Sequence, residues 1–310
     1  MLNKLKIRHM HSFGHTISLV LLCGIAFAAQ AQSPAILISE ILFNPKPGGA
    51  DYVEIYNASQ ESVALSSLRL VKWDNGQLGK FYPIPDSSFL QPGNYAVFTT
   101  DAVNIRSNYT VPHPNRLVEL SSLPSYNDAS GTVIIATADS LVLDRFDYSA
   151  SMHNPLIRDP EGVALERRSF AAETQNPSNW SSAASTIGFG TPTGPNSQSH
   201  EFLFLENDFN FEPELFSPDG DGYNDLLNIA YQLSNSGLSG SIAIYDSRGR
   251  LVRHLSRNDL LGTQGLLVWD GTNNAGVRCQ QGNYIIVVEL YNTDGLSQTL
   301  RKTVALTVRK

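Results

Sequence analysis

Cysteine is close to absent from this chain: there are two in 310 residues, Cys23 and Cys279. If the leading segment is removed on export, only Cys279 remains, so no internal disulfide can form and stability has to come from packed cores or bound ions. Long apolar runs are also missing. The longest, 17–28, is about a dozen residues, where a membrane-spanning helix needs roughly 20. Beyond residue 31 the histidines are His113, His153, His200 and His254, and none lies in a His-x-x-x-His or Cys-x-x-Cys setting, which leaves a zinc site without its usual ligand spacing. There is no Gly-x-Ser-x-Gly elbow for a nucleophilic serine and no glycine-rich phosphate loop. Basic charge is scarce as well: 22 Lys and Arg face 29 Asp and Glu, a formal charge of −7, so there is no basic field and no clear patch to attract nucleic acid.

Present at the start are Lys4, Lys6 and Arg8, then the short apolar run, then Ala29-Gln30-Ala31. That order predicts a signal peptide over 1–31 with cleavage after Ala31, export, and a mature chain of charge −10. A lipoprotein anchored through Cys23 is disfavoured by the bulky Leu22 before it and by apolar sequence continuing past it.

Beyond residue 33, short apolar runs are broken every 8–15 residues by Pro, Gly, Asn or Asp, with no long helical period. This is an all-β pattern. Strands are expected over 35–45, 51–59, 94–100, 132–138 and 141–149, the last two joined by a tight turn at Asp139-Ser140. In 51–59, Tyr52, Glu54 and Tyr56 alternate with Val53 and Ile55, so Glu54 falls on a polar side that meets solvent or a neighbouring sheet. A Gly, Pro, Thr, Asn and Ser cluster at 188–199 marks the end of a first domain. The expected organisation is a first domain over 32–197, a linker over 198–213 that is acidic and aromatic with one strand docking on a neighbour, and a second domain over 214–310. Within the latter, hairpins turn at Asp246–Gly249 and Asn292–Gly295. Two Ig-like β-sandwiches in tandem fit these lengths.

The pieces "ISEILFNPKPGGADYVEIYNAS", "LDRFDYSASMHNPLI" and "GVALERRSFAAETQNPSNWSSAASTIGFGTPTGPNSQ" make 35–197 resemble a bacterial (Bacteroidetes-like) lamin-tail domain. That resemblance implies an Ig-like sandwich used as an interaction module, with no family catalytic residue. "FSPDGDGYNDLLNIAY", "IAIYDSRGRLVRHL", "WDGTNNAG" and "GNYIIVVELYNTDG" resemble the FlgD-like Ig domain, and more loosely the C-terminal domains of gliding-motility-associated surface proteins. The looser resemblance implies a type IX secretion signal and a place at the cell surface. In the resembling domains Trp269 and Tyr284 are core residues.

The residues with chemistry to offer are few. Asp219, Asp221, Asn224 and Asp225 sit in "FSPDGDGYND" among three turn-formers. They are either Asx-turn acceptors fixing how the chain enters its first strand or ligands to Ca²⁺, a hard cation that collects six to eight oxygens. The spacing is not that of an EF-hand, since Tyr223 and Ala230 stand where ligands would be needed; a site would borrow carbonyls or Asp246 or Asp270. Glu40/Glu54 and Asp144/Asp147 are carboxylate pairs, but 144 and 147 fall on opposite strand faces. Glu166, Arg167 and Arg168 are expected to salt-bridge across the sandwich, and His153 to hold a loop. The chain therefore reads as an exported, non-catalytic binding or structural protein. Its expected partner is an unidentified protein or glycan at the cell surface, and no cofactor is expected beyond the Ca²⁺ reading. The alternatives are a Ca²⁺-dependent surface adhesin and an accessory protein of a secreted hydrolase or nuclease.

Overall fold

The computed structural model describes residues 36–199 and 206–307; the expected leader and its cleavage point lie outside them. The chain is all-β. Twelve strands run through the first part: β1 Ile36–Leu42, β2 Tyr52–Asn57, β3 Val63–Ala64, β4 Leu68–Asp74, β5 Gln77–Pro83, β6 Phe89–Leu90, β7 Tyr95–Thr99, β8 Leu117–Glu119, β9 Ser130–Thr137, β10 Val142–Ser149, β11 Leu165–Arg167 and β12 Trp180–Ser182. One helix, α1 (Ala102–Asn108), follows β7 and is capped by Asp101, which accepts the Asn104 N–H at 2.8 Å.

A six-stranded sheet ordered β12-β11-β1-β2-β7-β8 faces a four-stranded sheet ordered β10-β9-β4-β5. Ile36, Ile38, Ile41, Val53 and Ile55 from the first sheet meet Leu68, Leu70, Val133, Ile135 and Phe146 from the second. Trp180 stacks on Phe146 with ring centroids 3.6 Å apart. Burying each such side chain contributes about 1.5–3 kcal/mol.

A bulge at Ser39 sets which residues face that core. Ile38 pairs with Ile55 and Glu40 with Glu54, leaving Ser39 as the extra residue. Ile36 and Ile38 point into the core before it and Ile41 and Phe43 after it. The inserted residue shifts the alternation by one and turns Glu40 to the outer face beside Glu54.

That outer face does not meet solvent. Ala102, Ile105 and Tyr109 of and after α1, with Ala164 and Ala183, pack against Leu42, Tyr52 and Val97. All seven residues of β1 are consequently buried. The polar side expected at Glu54 is covered by helix and loop rather than by water or another sheet.

The second part adds β13 Asp208–Glu212, β14 Leu215–Phe216, β15 Leu227–Gln232, β16 Ser239–Asp246, β17 Leu251–Leu260, β18 Gln264–Trp269, β19 Gly282–Tyr291 and β20 Ser297–Leu306. A three-stranded sheet (β13-β15-β18) faces a five-stranded one (β14-β20-β19-β16-β17). Both expected hairpins are present, joining β16 to β17 and β19 to β20. In the first, the Gly249 N–H donates to Asp246 O at 2.9 Å with Gly249 at φ +75°, a turn geometry suited to glycine. Trp269 is fully buried, 5.0 Å from the Tyr284 ring and 5.2 Å from Phe216, as expected of a core residue.

The described residues fall in one compact unit, and the segment entering the connector is pinned. Ser197 O accepts the Thr263 N–H at 2.8 Å. Gln198 donates to Leu261 O at 3.1 Å and accepts the Gly237 N–H at 2.9 Å, and Ser185 donates to Leu260 O at 3.0 Å. Within the connector, β13 is the strand expected to dock, paired antiparallel with β15.

Candidate functional site

The aspartate loop is built by its own side chains. Asp225 accepts the Gly220 N–H through Oδ1 (2.6 Å) and the Gly222 N–H through Oδ2 (2.8 Å). Asp219 Oδ1 accepts the Asp221 N–H and Asp221 Oδ1 the Tyr223 N–H, at 3.2 and 2.8 Å. The last two are Asx-turn bonds, and the backbone donors to Asp225 hold its carboxyl below the ordinary range. The same folding draws one oxygen each of Asp219, Asp221 and Asp225 to within 4.8 Å of one another. Asn224 acts through its backbone, with φ +52° and its carbonyl accepting the Ser217 N–H at 2.8 Å. Asp246 and Asp270 do not join the cluster. Asp246 pairs with Arg250 at 2.7 Å, and Asp270 with Arg253 at 2.7 Å. The loop rests on the turn after Trp269: a Cβ on Gly271 would come within 2.7 Å of Pro218 Cγ.

In the first sandwich, Arg167 crosses the core to Asp144 at 3.1 Å, both side chains nearly solvent-free. Asp144 is otherwise saturated, accepting the Ile38 N–H (2.8 Å), the Arg145 N–H (2.9 Å) and the Thr174 hydroxyl (2.7 Å). Burial pushes its carboxyl up, against those bonds and the Arg167 charge. Asp147, on the opposite strand face, pairs with Arg145 at 2.9 Å. His153 holds its loop through Nδ1, 2.9 Å from Ser182 Oγ.

The feature the sequence did not reveal is a ladder of three fully buried glutamates. Glu40 is the register partner of Glu166 on β11 and of Glu54 on β2. The 190–198 segment closes over all three. Thr191 donates its N–H to Glu40 Oε1 (3.0 Å) and its hydroxyl to Glu166 Oε1 (2.7 Å). Ser197 Oγ and the Gln198 N–H reach Glu166 Oε2 at 2.8 and 3.0 Å, and the Thr193 N–H reaches Glu54 Oε2 at 2.6 Å. Tyr52 donates to Glu40 at 2.7 Å. Thr193 holds φ +70°, a strained setting for a β-branched residue. Gly190 is needed for space, since a Cβ there would come within 2.8 Å of Tyr52 Oη and of the Tyr109 ring. Burial, then the Glu166 charge, raises the Glu40 carboxyl to about 8. Burial, then Glu40, raises Glu54 well above its ordinary value. Glu54 Oε1 has no hydrogen-bond partner, which a neutral acid tolerates and a carboxylate does not. Covered carboxyls tied up by a loop cannot reach a substrate, so the Glu40/Glu54 pair is a structural clasp.

Fold and site thus define a tandem β-sandwich protein whose polar groups serve chiefly to tie strands, loops and domains together. Residues 29–150 match the Lamin Tail Domain, and residues 210–305 match the CHU_C Type IX secretion signal domain; the chain carries both. For the second domain, the secretion-signal resemblance is the one this match returns. A search of curated proteins finds no match. Among solved structures, dimeric latent PorU from Porphyromonas gingivalis aligns over 88% of this chain and 20% of its own, at 12% identity and TM-score 0.26. PorZ of the same organism, described as an essential bacterial surface component of the type-IX secretion system, aligns over 87% of this chain and 30% of its own, at 15% identity and TM-score 0.25. This chain spans under a third of either protein, and scores this low say nothing about activity.

Proposed function

We propose that the chain is an exported, non-catalytic surface protein in which the lamin tail domain is the interaction module and the C-terminal sandwich directs secretion. The observation that carries this is the secretion-signal match across 210–305. Both matched domains are of non-catalytic types, and no helix among the described residues is long and apolar enough to cross a membrane. The partner class is a protein or glycan at the cell surface. The test is to express the full chain and a version ending at residue 199, each epitope-tagged, in a bacterium with a type IX system. Surface labelling of the full chain and periplasmic retention of the truncated one support the proposal. Equal surface display of both would overturn it, as would phosphodiesterase or glycosidase turnover by the purified chain for its non-catalytic half.

A second proposal, Ca²⁺-dependent adhesion, is favoured by the convergence of Asp219, Asp221 and Asp225. Ca²⁺ would supply charge neutralisation and rigidity there rather than chemistry.

A further inference from the structure

An open cleft of about 650 Å³ lies on the second sandwich between the β16–β17 turn and the 273–283 segment. Three arginines line it, Arg248 and Arg250 from the turn and Arg278 from the opposite wall, and all three are exposed. Asp246 is the one carboxylate among the lining residues. In a chain of formal charge −7 this is a local reversal of sign, which the sequence conceals by separating Arg278 from the other two.

The walls are braced by their own hydrogen bonds. Asp246 Oδ1 accepts the Arg248 and Arg250 N–H groups, both at 2.9 Å, and its Oδ2 accepts the Arg250 Nε–H at 2.7 Å. The carboxylate is thereby spent on building the turn. Across the cleft, Asn273 Oδ1 accepts the Ala275 and Val277 N–H groups at 2.9 and 3.0 Å. The two walls are joined where the Asn274 N–H donates to Val252 O and the His254 N–H donates to Asn274 Oδ1, each at 3.0 Å. Arg248 and Arg278, by contrast, form no ion pair within 4.0 Å among the described residues. Arg278 acts on Asp225 only at longer range, its charge adding to the Gly220 and Gly222 N–H groups that hold that carboxyl low. A positive cleft with braced walls needs little reorganisation to receive an anion.

We propose that this cleft binds an acidic saccharide, its carboxylate or sulfate groups held by Arg248 and Arg278 and its hydroxyls by the exposed amides of Gln280, Gln281 and Asn283. A guanidinium fork meets such groups with parallel N–H···O bonds, and amides can both donate to and accept from hydroxyls. Single-stranded nucleic acid wants aromatic faces on which its bases stack. The cleft offers none, since Tyr284, the one aromatic in its lining, is buried. This binding is separate from the secretory role proposed for the same sandwich.

The test is calorimetric titration of the full chain from residue 32 onward, at constant ionic strength and in chelator so that no cation bridges from the aspartate loop. The probes are a galacturonate disaccharide, a sulfated galactose disaccharide, neutral galactobiose, sodium sulfate and a short single-stranded DNA. The expected result is saturable binding of at least one acidic disaccharide, about tenfold or more tighter than galactobiose or sulfate, and weakened about tenfold or more in Arg248→Gln/Arg278→Gln. Arg301→Gln, exposed and outside the cleft, should bind as the parent does. Which acidic disaccharide binds identifies the preferred group. The proposal is overturned if neither acidic disaccharide binds, if galactobiose or sulfate binds as tightly, if DNA binds more tightly, or if the double variant binds as the parent does. An unchanged unfolding midpoint verifies that the double variant folds; should it not, the two single variants are read instead, and unchanged affinity in both overturns the site. None of these outcomes bears on secretion, which surface labelling reads.

Discussion

Glu40 and Glu54 are direct cross-strand partners on β1 and β2, and neither exposes any surface to solvent. Two like charges opposite one another in a sheet repel, so the pair persists by keeping protons. Between pH 4.5 and about 8 the folded state holds a proton on Glu40 that the unfolded chain has lost. Stability therefore falls as pH rises through that window. Glu40→Gln, which preserves a neutral acceptor, is expected to flatten the slope, as measured by thermal unfolding at pH 5, 6.5 and 8; an unchanged slope would sink the assignment.

His153 works in the opposite direction. Burial holds it near 4 rather than 6.5, so the unfolded chain binds a proton that the folded one refuses, and stability falls as pH drops from 6.5 toward 4. Replacing His153 with Gln should remove that acid-side loss while leaving the Glu40 slope in place. Denaturant midpoints across pH 4–7 measure it.

Asp144 and Arg167 form a pair buried in the first core. Asp144→Ala strands the guanidinium and frees the Ile38 N–H, and is expected to cost about 3–5 kcal/mol. Chemical denaturation of the two single variants and the double variant would show the coupling, with Arg167→Met recovering part of the loss in the Asp144→Ala background.

Gln198 is a hinge pin between sandwiches. Gln198→Ala leaves Leu261 O and the Gly237 N–H without their partner, at about 1–3 kcal/mol each. Calorimetry should then resolve two unfolding transitions where the parent chain shows greater overlap.

The calcium proposal is read by thermal unfolding in millimolar Ca²⁺ against chelator. A native-state site raises the second sandwich's midpoint by several degrees through linkage, and the rise should vanish in Asp219→Ala/Asp221→Ala. No rise would leave the loop as the entry turn that its internal hydrogen bonds already make it.

Strands whose alternation is clean were legible before the structure: β2, β9, β10, β16 and β19 fall where period and turn residues put them. The β4–β5 hairpin was not, because β4 carries Arg69, Lys72 and Asp74 among its apolar positions. The glutamate ladder was illegible for a different reason. A carboxylate at an outward position of a strand reads as solvated, and only the return of residues 190–198 from some 150 positions away buries it. The asparagine and aspartate turns, by contrast, are local chemistry and were read from a few residues at a time.

Ser39 has a consequence of its own. As a single inserted residue it is a phase change in the alternation of β1, so it is the one residue the strand could lose without turning any other side chain over. Removing Ser39 would set Ile38 and Glu40 opposite the adjacent Ile55 and Glu54 in unbroken alternation, with Glu40 still outward and Ile41 still inward, whereas removing any other single residue of the strand while the bulge stays would turn the side chains beyond it to the other face. Length variation in this strand among proteins built on the same plan should therefore be a single residue at the bulge, and should come in even steps anywhere else.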